Sequence, residues 1–254
     1  MKIAVPIKFV PDLVEELNID SSGAALDASW LRLIINEFDD HAIEQAILLK
    51  ERSGGEVTVM AAEAEGVDDI LFAAAAKGAD RLIKLTGDLG SGLNGHASAR
   101  MLASLLKEIQ PDLILTGVQA NNDLDGAVGP LLAGYLGMPY VGYVAGVTVA
   151  GEKVVAHKEY PGGIIAEMEV KLPCVLGIQA AEQPPRYVAY SKIRQIMNTA
   201  KIEERAIPNV DSSGAVTVSR MFKPEASQRA TIFEGSSEEV AGQMVGIFKE
   251  LGVL

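Results

Sequence analysis

The sequence predicts an α/β protein built on a parallel sheet with helices on both faces. Two observations carry this. Short, apolar, β-rich runs alternate with amphipathic helical segments through the first half of the chain, and strand-helix-strand in that rhythm means right-handed crossovers. The composition, 48% hydrophobic and 22% charged over 254 residues, suits a globular chain large enough for one α/β domain plus an appendage.

Residues 2–10 read as the first strand. The apolar stretch is short, broken by Pro6 and Lys8, and lacks a small-residue cleavage site, so it is not a secretory signal. Residues 39–52 follow as a helix. Ala42, Ile43, Ala46, Ile47 and Leu49 form its apolar stripe, and Glu44, Gln45 and Glu51 lie outside it. Strands are expected at 56–62, 81–86 and 112–117, with helices at 67–77 and 96–109 between them. After Pro139 four extended runs, 140–150, 153–160, 164–171 and 174–180, are divided by turn signals, and these are expected to add an antiparallel edge to the sheet.

Gln183-Pro184-Pro185-Arg186 ends the compact pattern. Residues 187–224 show weak periodicity, and a closing helix spans 236–251, its start marked by Ser236-Ser237-Glu238-Glu239. The division is therefore an α/β domain at 1–183 and an arm at 184–254 that packs on another subunit.

Charge and cysteine usage narrow the function. With 22 Lys+Arg against 34 Asp+Glu the net charge is −12, which opposes nucleic-acid binding. Cys174 is alone and His41, His96 and His157 are scattered, so neither a disulfide nor a metal site is expected. No apolar run approaches the roughly 20 residues of a membrane span, and a cytoplasmic location is expected.

The strongest local feature is the stretch 117–130, GVQANNDLDGAVGP, which leaves a strand and opens a helix. Ligands bind parallel sheets at the carboxyl ends of strands, and anions sit on free amides at helix N-termini. Gly126 and Gly129 would let the backbone approach an anion. A loop rich in Gly, Asn and Asp for turn reasons alone is the other reading. At the loop Asn36-Glu37-Phe38-Asp39, Asn36 can bond a ribose or base, or Asp39 can simply cap the helix. Ala62, at a third strand end, leaves room for a planar ring or merely packs. Together the three strand ends are what a mononucleotide crevice requires. No nucleophile elbow or acid/base set accompanies them. Beyond the Pro-Pro, Ile193, Ile196 and Met197 form a short apolar group that either tucks against the body or anchors a partner.

Several of these motifs, in order along nearly the whole chain, resemble the beta subunit of electron transfer flavoprotein. VPIKFVPD is similar to that family's first strand, INEFDDHAIEQAILLKE to its Asn-Pro-Phe-Asp loop and helix, and AAAAKGADRLIKL to its Gly-Ala-Asp turn. GVQANNDLDGAVGP resembles its nucleotide loop, and PGG, EVKLPCVLGIQ and QPPRY…IRQIMNTAKIE continue the match.

The resemblance implies a three-layer, Rossmann-like fold of the adenine nucleotide alpha hydrolase-like kind with added antiparallel strands. It implies a heterodimer with an alpha subunit and an FAD at the subunit boundary. AMP, or a second FAD in a bifurcating member, would lie in this chain's crevice. Carried over by motif, the nucleotide would touch Pro6, Ile7, Asn36, Glu37, Phe38, Asp39, Ala62, Gly117, Gln119, Ala120 and Asp123. The amides of Gly126, Ala127 and Val128 would hold the phosphate. Residues 190–201 align with a recognition segment that docks flavin-dependent dehydrogenases, those of the acyl-CoA type among them, with Ile193 in the anchoring position and Ile196 and Met197 beside it. Departures are Glu37 for the family's Pro, Val118 for its Lys, and Ala127 and Val128 for its polar phosphate-side residues. A stand-alone ATP- or AMP-binding module on a similar sheet is the alternative reading, and an interaction protein with a vestigial crevice is a third.

Overall fold

Alternate residues along each inner strand belong to two different cores, which is why the sheet is buried on both faces. The computed structural model describes residues 1–87, 94–124, 126–207, 211, 213–214, 216–224 and 230–254. Its elements are β1 (Lys2–Ile7), β2 (Phe9–Pro11), β3 (Leu33–Ile35), α1 (Glu37–Ser53), β4 (Glu56–Ala62), α2 (Val67–Lys77), β5 (Arg81–Thr86), α3 (Gly95–Ile109), β6 (Leu113–Gly117) and α4 (Val128–Leu136). Then come β7 (Tyr140–Val144), β8 (Gly146–Ala150), β9 (Lys153–Tyr160), β10 (Ile164–Lys171), β11 (Cys174–Ile178), α5 (Tyr190–Met197), β12 (Ile202–Ala206) and α6 (Ser237–Glu250).

The seven-stranded sheet has the order β12-β5-β4-β1-β6-β11-β7, with every pairing parallel. On one face Ile3, Val5 and Ile7 of β1 pack with Ile43, Ala46 and Ile47 of α1 and Leu71 of α2. On the other, Ala4 joins Leu102 and Leu106 of α3 and Leu132 of α4. The predicted three-layer α/β fold is the observed one. Because β4 lies on one side of β1 and β6 on the other, the strand order reverses at β1, and a crevice opens there.

Three expectations are corrected. The run 2–10 is not one strand. At Lys8 the backbone leaves the ladder, with its amide donating to Asp39 Oδ2 (2.8 Å) and its carbonyl accepting from Asn36 N–H (2.9 Å). β2 then pairs antiparallel with β3 outside the main sheet. The run 140–150 divides likewise: β7 joins the main sheet and β8 leaves it, after Tyr143 adopts φ +59°. Nor do the later strands add an antiparallel edge. β8, β9 and β10 form a separate antiparallel sheet whose Val147, Val154, Ala156 and Val170 extend the α1-side core, while β7 and β11 are parallel members of the main sheet.

β12, which carries only a weak apolar signal, is the opposite edge of the sheet. It pairs with β5, supported by Arg81–Glu203 and Lys84–Glu204 contacts, each 3.0 Å. The closing helix starts as expected: the Ser236 hydroxyl accepts from Glu239 N–H, and the Glu239 carboxylate accepts from Ser236 N–H. No residue of α6 is buried.

Candidate functional site

Ile7, Ala62 and Gly117 end three adjacent strands at the point where strand order reverses, and a cavity of about 350 Å³ opens between them. Its floor is Pro6, Ile7, Ala62, Thr116 and Gly117. The walls are Asn36 and Asp39 of α1's start, Glu63 and Ala64 beyond β4, and Ser98, Met101 and Leu102 of α3. Phe9 and Leu33 from the β2–β3 hairpin close one side, and Gln119, Ala120, Asn122, Asp123 and Val128 the other. The mixture of apolar walls and a few converging polar groups is that of a small-molecule site.

Lys8 ties the rim together. Besides its two backbone bonds, its ammonium reaches Asp123 Oδ1 at 2.6 Å, and Asp123 Oδ2 accepts from Ala120 N–H at 2.8 Å. Both oxygens of Asp123 are thereby engaged, and the loop after β6 is pinned to the end of β1. Asp39 makes the complementary link. Oδ2 accepts from Lys8 N–H and Oδ1 from Gly117 N–H at 2.7 Å, so one carboxylate joins the ends of β1 and β6.

The capping expected of Asp39 is therefore not what this residue does. Asn36 is the cap residue of α1, and even its side chain does not cap, because Nδ2 donates to the Gln119 carbonyl at 2.9 Å. Asp39 supplies acceptors to the strand-end amides of Lys8 and Gly117, and Asn36 supplies a donor to the Gln119 carbonyl, so both polar groups serve backbone groups of the crevice rather than the helix start. Burial pushes the Asp39 carboxyl up to about 7, against the opposing pull of the Lys8 and Gly117 amides.

Gly117 is required by this closeness. A Cβ there would stand 2.5 Å from Asp39 Oδ1 and 2.8 Å from Phe38 Cβ. Gly129 is equally constrained: a Cβ would lie 2.6 Å from Thr116 Oγ1 and 3.1 Å from Tyr140 Cε2.

No side chain among the described residues caps the start of α4. Ala127 is its cap residue and makes no side-chain cap bond, no acidic residue occupies the first turn, and Pro130 has no N–H to offer. The backbone amides at 127–129 accordingly have no side-chain acceptor among the described residues. Beside it the Thr116 hydroxyl is buried with no hydrogen-bond partner among the described residues.

Ten of the sequence-derived residues line the cavity: Pro6, Ile7, Asn36, Asp39, Ala62, Gly117, Gln119, Ala120, Asp123 and Val128. Glu37 is exposed, Phe38 is half-buried against Gly117, and Gly126 and Ala127 lie on the approach to α4 rather than on the cavity wall. Asp125 falls outside the described residues. Sequence reasoning missed Lys8, Thr116 and the Ser98, Met101 and Leu102 wall. For Lys8 the signal was a cation interrupting an apolar strand; for α3 a core stripe carries no mark of facing a cavity. Ile193, Ile196 and Met197 are remote from the cavity, on α5, which lies against α2. Ile193 and Ile196 are half-buried and Met197 is exposed.

A protein-family model described as "Electron transfer flavoprotein domain" matches residues 28–211. This chain belongs to the electron transfer flavoprotein family. Among its relatives are beta subunits of electron transfer flavoprotein from Methylophilus methylotrophus, 33% identical with 98% of each chain covered, and from Clostridium acetobutylicum, 30% identical with the same coverage. The Caffeyl-CoA reductase-Etf complex subunit CarD of Acetobacterium woodii is 30% identical over the full length of both. Membership of the electron transfer flavoprotein family brings association with flavin and nucleotide, an alpha subunit, and redox partners. No described helix is long and apolar enough to cross a membrane, and no group of three or more His, Cys, Asp or Glu among the described residues could hold a metal ion.

Proposed function

We propose that this beta subunit carries AMP in the crevice at the β1/β4/β6 strand ends, as a bound structural nucleotide, and acts as part of an electron carrier rather than as a self-sufficient enzyme. The observation that carries the reading is the uncapped start of α4 beside an orphaned Thr116 hydroxyl, opening on a cavity of about 350 Å³. That volume is at the small end of the roughly 300–1,000 Å³ range of ligand pockets, which suits a mononucleotide better than a second FAD.

The donors fit a phosphate. The amides of 127–129, with Gly126 before them, can hold it without a free cation, since the Lys8 ammonium is held by Asp123. Met101, Leu102, Ala62 and Ala120 leave an apolar slot for the base, with Gln119 at its edge. Pro6, Ile7, Asn36 and Asp39 form the wall behind the ribose, and Glu37 and Phe38 shape it from outside. Asp123 acts through Lys8, fixing the loop rather than reaching the nucleotide. FAD bound with the alpha subunit supplies the one- and two-electron chemistry. This chain's residues contribute the nucleotide cradle and the docking surface.

Ile193, Ile196 and Met197 on α5 form that surface, meeting a flavin-dependent dehydrogenase of the acyl-CoA type. Residues 187–202 contain Lys192, Arg194 and Lys201 and no acidic residue, within a chain of net charge −12. Such a segment suits an acidic partner face and a salt-sensitive association.

The test is to purify the heterodimer, denature it and identify released nucleotides by mass spectrometry. One AMP and one FAD per heterodimer are expected. Two FAD would replace AMP by a second flavin, and FAD alone in one copy would leave the crevice without its nucleotide role. Magnesium-dependent ATP hydrolysis by this chain alone would favour the stand-alone module instead.

A further inference from the structure

Glu44 lies on the third turn of α1, where a carboxylate meets the protein interior, and its side chain is only 2% exposed. A buried carboxylate needs a charged, hydrogen-bonded partner, and here that partner comes from 142 residues away in sequence. Arg186 Nε donates to Glu44 Oε1 and Oε2 (both 3.0 Å), Nη2 to Oε1 (2.8 Å), and the backbone N–H of Arg186 to Oε2 (2.9 Å). The same guanidinium reaches Glu51 on the next turns of α1, with Nη1 at 2.6 Å from Oε1 and Nη2 at 3.2 Å from Oε2. Nη1 also lies 3.5 Å from the Lys77 carbonyl at the end of α2. One side chain thus spans both helices of this layer with a planar, forked set of donors that lysine cannot reproduce.

The segment immediately beyond Arg186 explains the use of such a clamp. Three residues later Ala189 leads into α5, a helix of eight residues with no side-chain cap, no acidic first turn and no buried residue. A helix this short does not hold itself in water. Its far end is fixed by β12, which pairs with β5, and its near end is joined through Tyr187, Val188 and Ala189 to Arg186.

We propose that Arg186 is the positioning residue for docking: gripping Glu44 and Glu51, it holds α5 against α2 in the pose that meets the redox partner. The inference rests on the docking role given to α5 above. Arg186 does not line the crevice; it acts through the placement of Ile193, Ile196 and Met197.

The test uses the heterodimer with its flavin bound and a medium-chain acyl-CoA dehydrogenase, with its acyl-CoA, as the electron-donating probe. R186K retains the charge and loses the fork. The double variant R186M/E44Q removes the pair without leaving a buried charge, so it keeps the test open if a single variant folds poorly. Expected are at least tenfold faster hydrogen exchange of the 190–197 amides and at least tenfold higher KM for the dehydrogenase. The maximal rate, flavin content and nucleotide content are expected to stay the same, with R186K intermediate. Wild-type exchange rates at 190–197 in the double variant would overturn the proposal. Faster exchange with unchanged KM, while M197A raises KM, would also overturn it and leave docking through α5 standing. If M197A too leaves KM unchanged, the docking reading itself fails.

Discussion

Asp39 concentrates the chemistry of the crevice at the scale of a single residue. Its carboxyl is pushed up to about 7 by burial, against an ordinary value of 3.8 in the unfolded chain. Between those values the native state keeps a proton that the unfolded chain has already released. Stability from this group therefore falls as pH rises across that window and is flat above it. D39N abolishes the titration. Between pH 5 and pH 8 the wild type should lose roughly 3 kcal/mol relative to D39N, read from denaturant unfolding at each pH. A wild-type minus D39N difference that does not move with pH would disprove the assignment. Lys8 is the second such residue. K8M leaves the Asp123 carboxylate, 9% exposed, without its cation, and the loop at 117–124 loses its tie to β1. A cost of about 1.5–3 kcal/mol is expected, with less nucleotide retained through gel filtration.

Elements set where these residues meet. α4 starts against Thr116 with only a hydrogen atom of Gly129 between them, so G129A must push the first turn of α4 away from the strand end. A loss of about 1–3 kcal/mol is expected, together with release of the nucleotide, because the amides at 127–129 move with the turn. Thermal unfolding with and without added AMP separates the two effects: the wild type should gain in midpoint with AMP and G129A should not. The division of the first apolar run at Lys8 works at the same scale. A continuous strand would carry Phe9 past the crevice. The break sends β2 into a hairpin with β3, which brings Phe9 and Leu33 to the cavity wall.

For the whole molecule, the parallel sheet has helices on both faces, and β12 returns from the arm to extend it. α6 is different. It has a well-formed capping box and no buried residue, while Met244, Val245, Ile247 and Phe248 on the helix and Leu251 just beyond it are exposed together. Such a face calls for cover by another protein surface. Ending the chain after residue 235 should leave the stability of the isolated subunit within about 0.5 kcal/mol, as for a surface change. Co-purification with the alpha subunit should be lost. A large drop in the subunit's own midpoint would mean that α6 supports its own body.

The fold class was legible in the sequence because apolar periodicity is a local quantity: 56–62, 67–77 and 81–86 could be bounded from their residues alone. So was much of the crevice, since Gly117, Ala62 and Asn36 stand at strand ends that the alternation of elements already marks. β12 was not, because a charged edge strand is held by backbone pairing and by ion pairs to β5, neither of which leaves an apolar period. The roles of Asp39, Lys8 and Arg186 were decided only by tertiary structure. Each of these side chains meets partners dozens to more than a hundred residues away, and sequence spacing holds no information about which distant amide or carboxylate a buried charge will face.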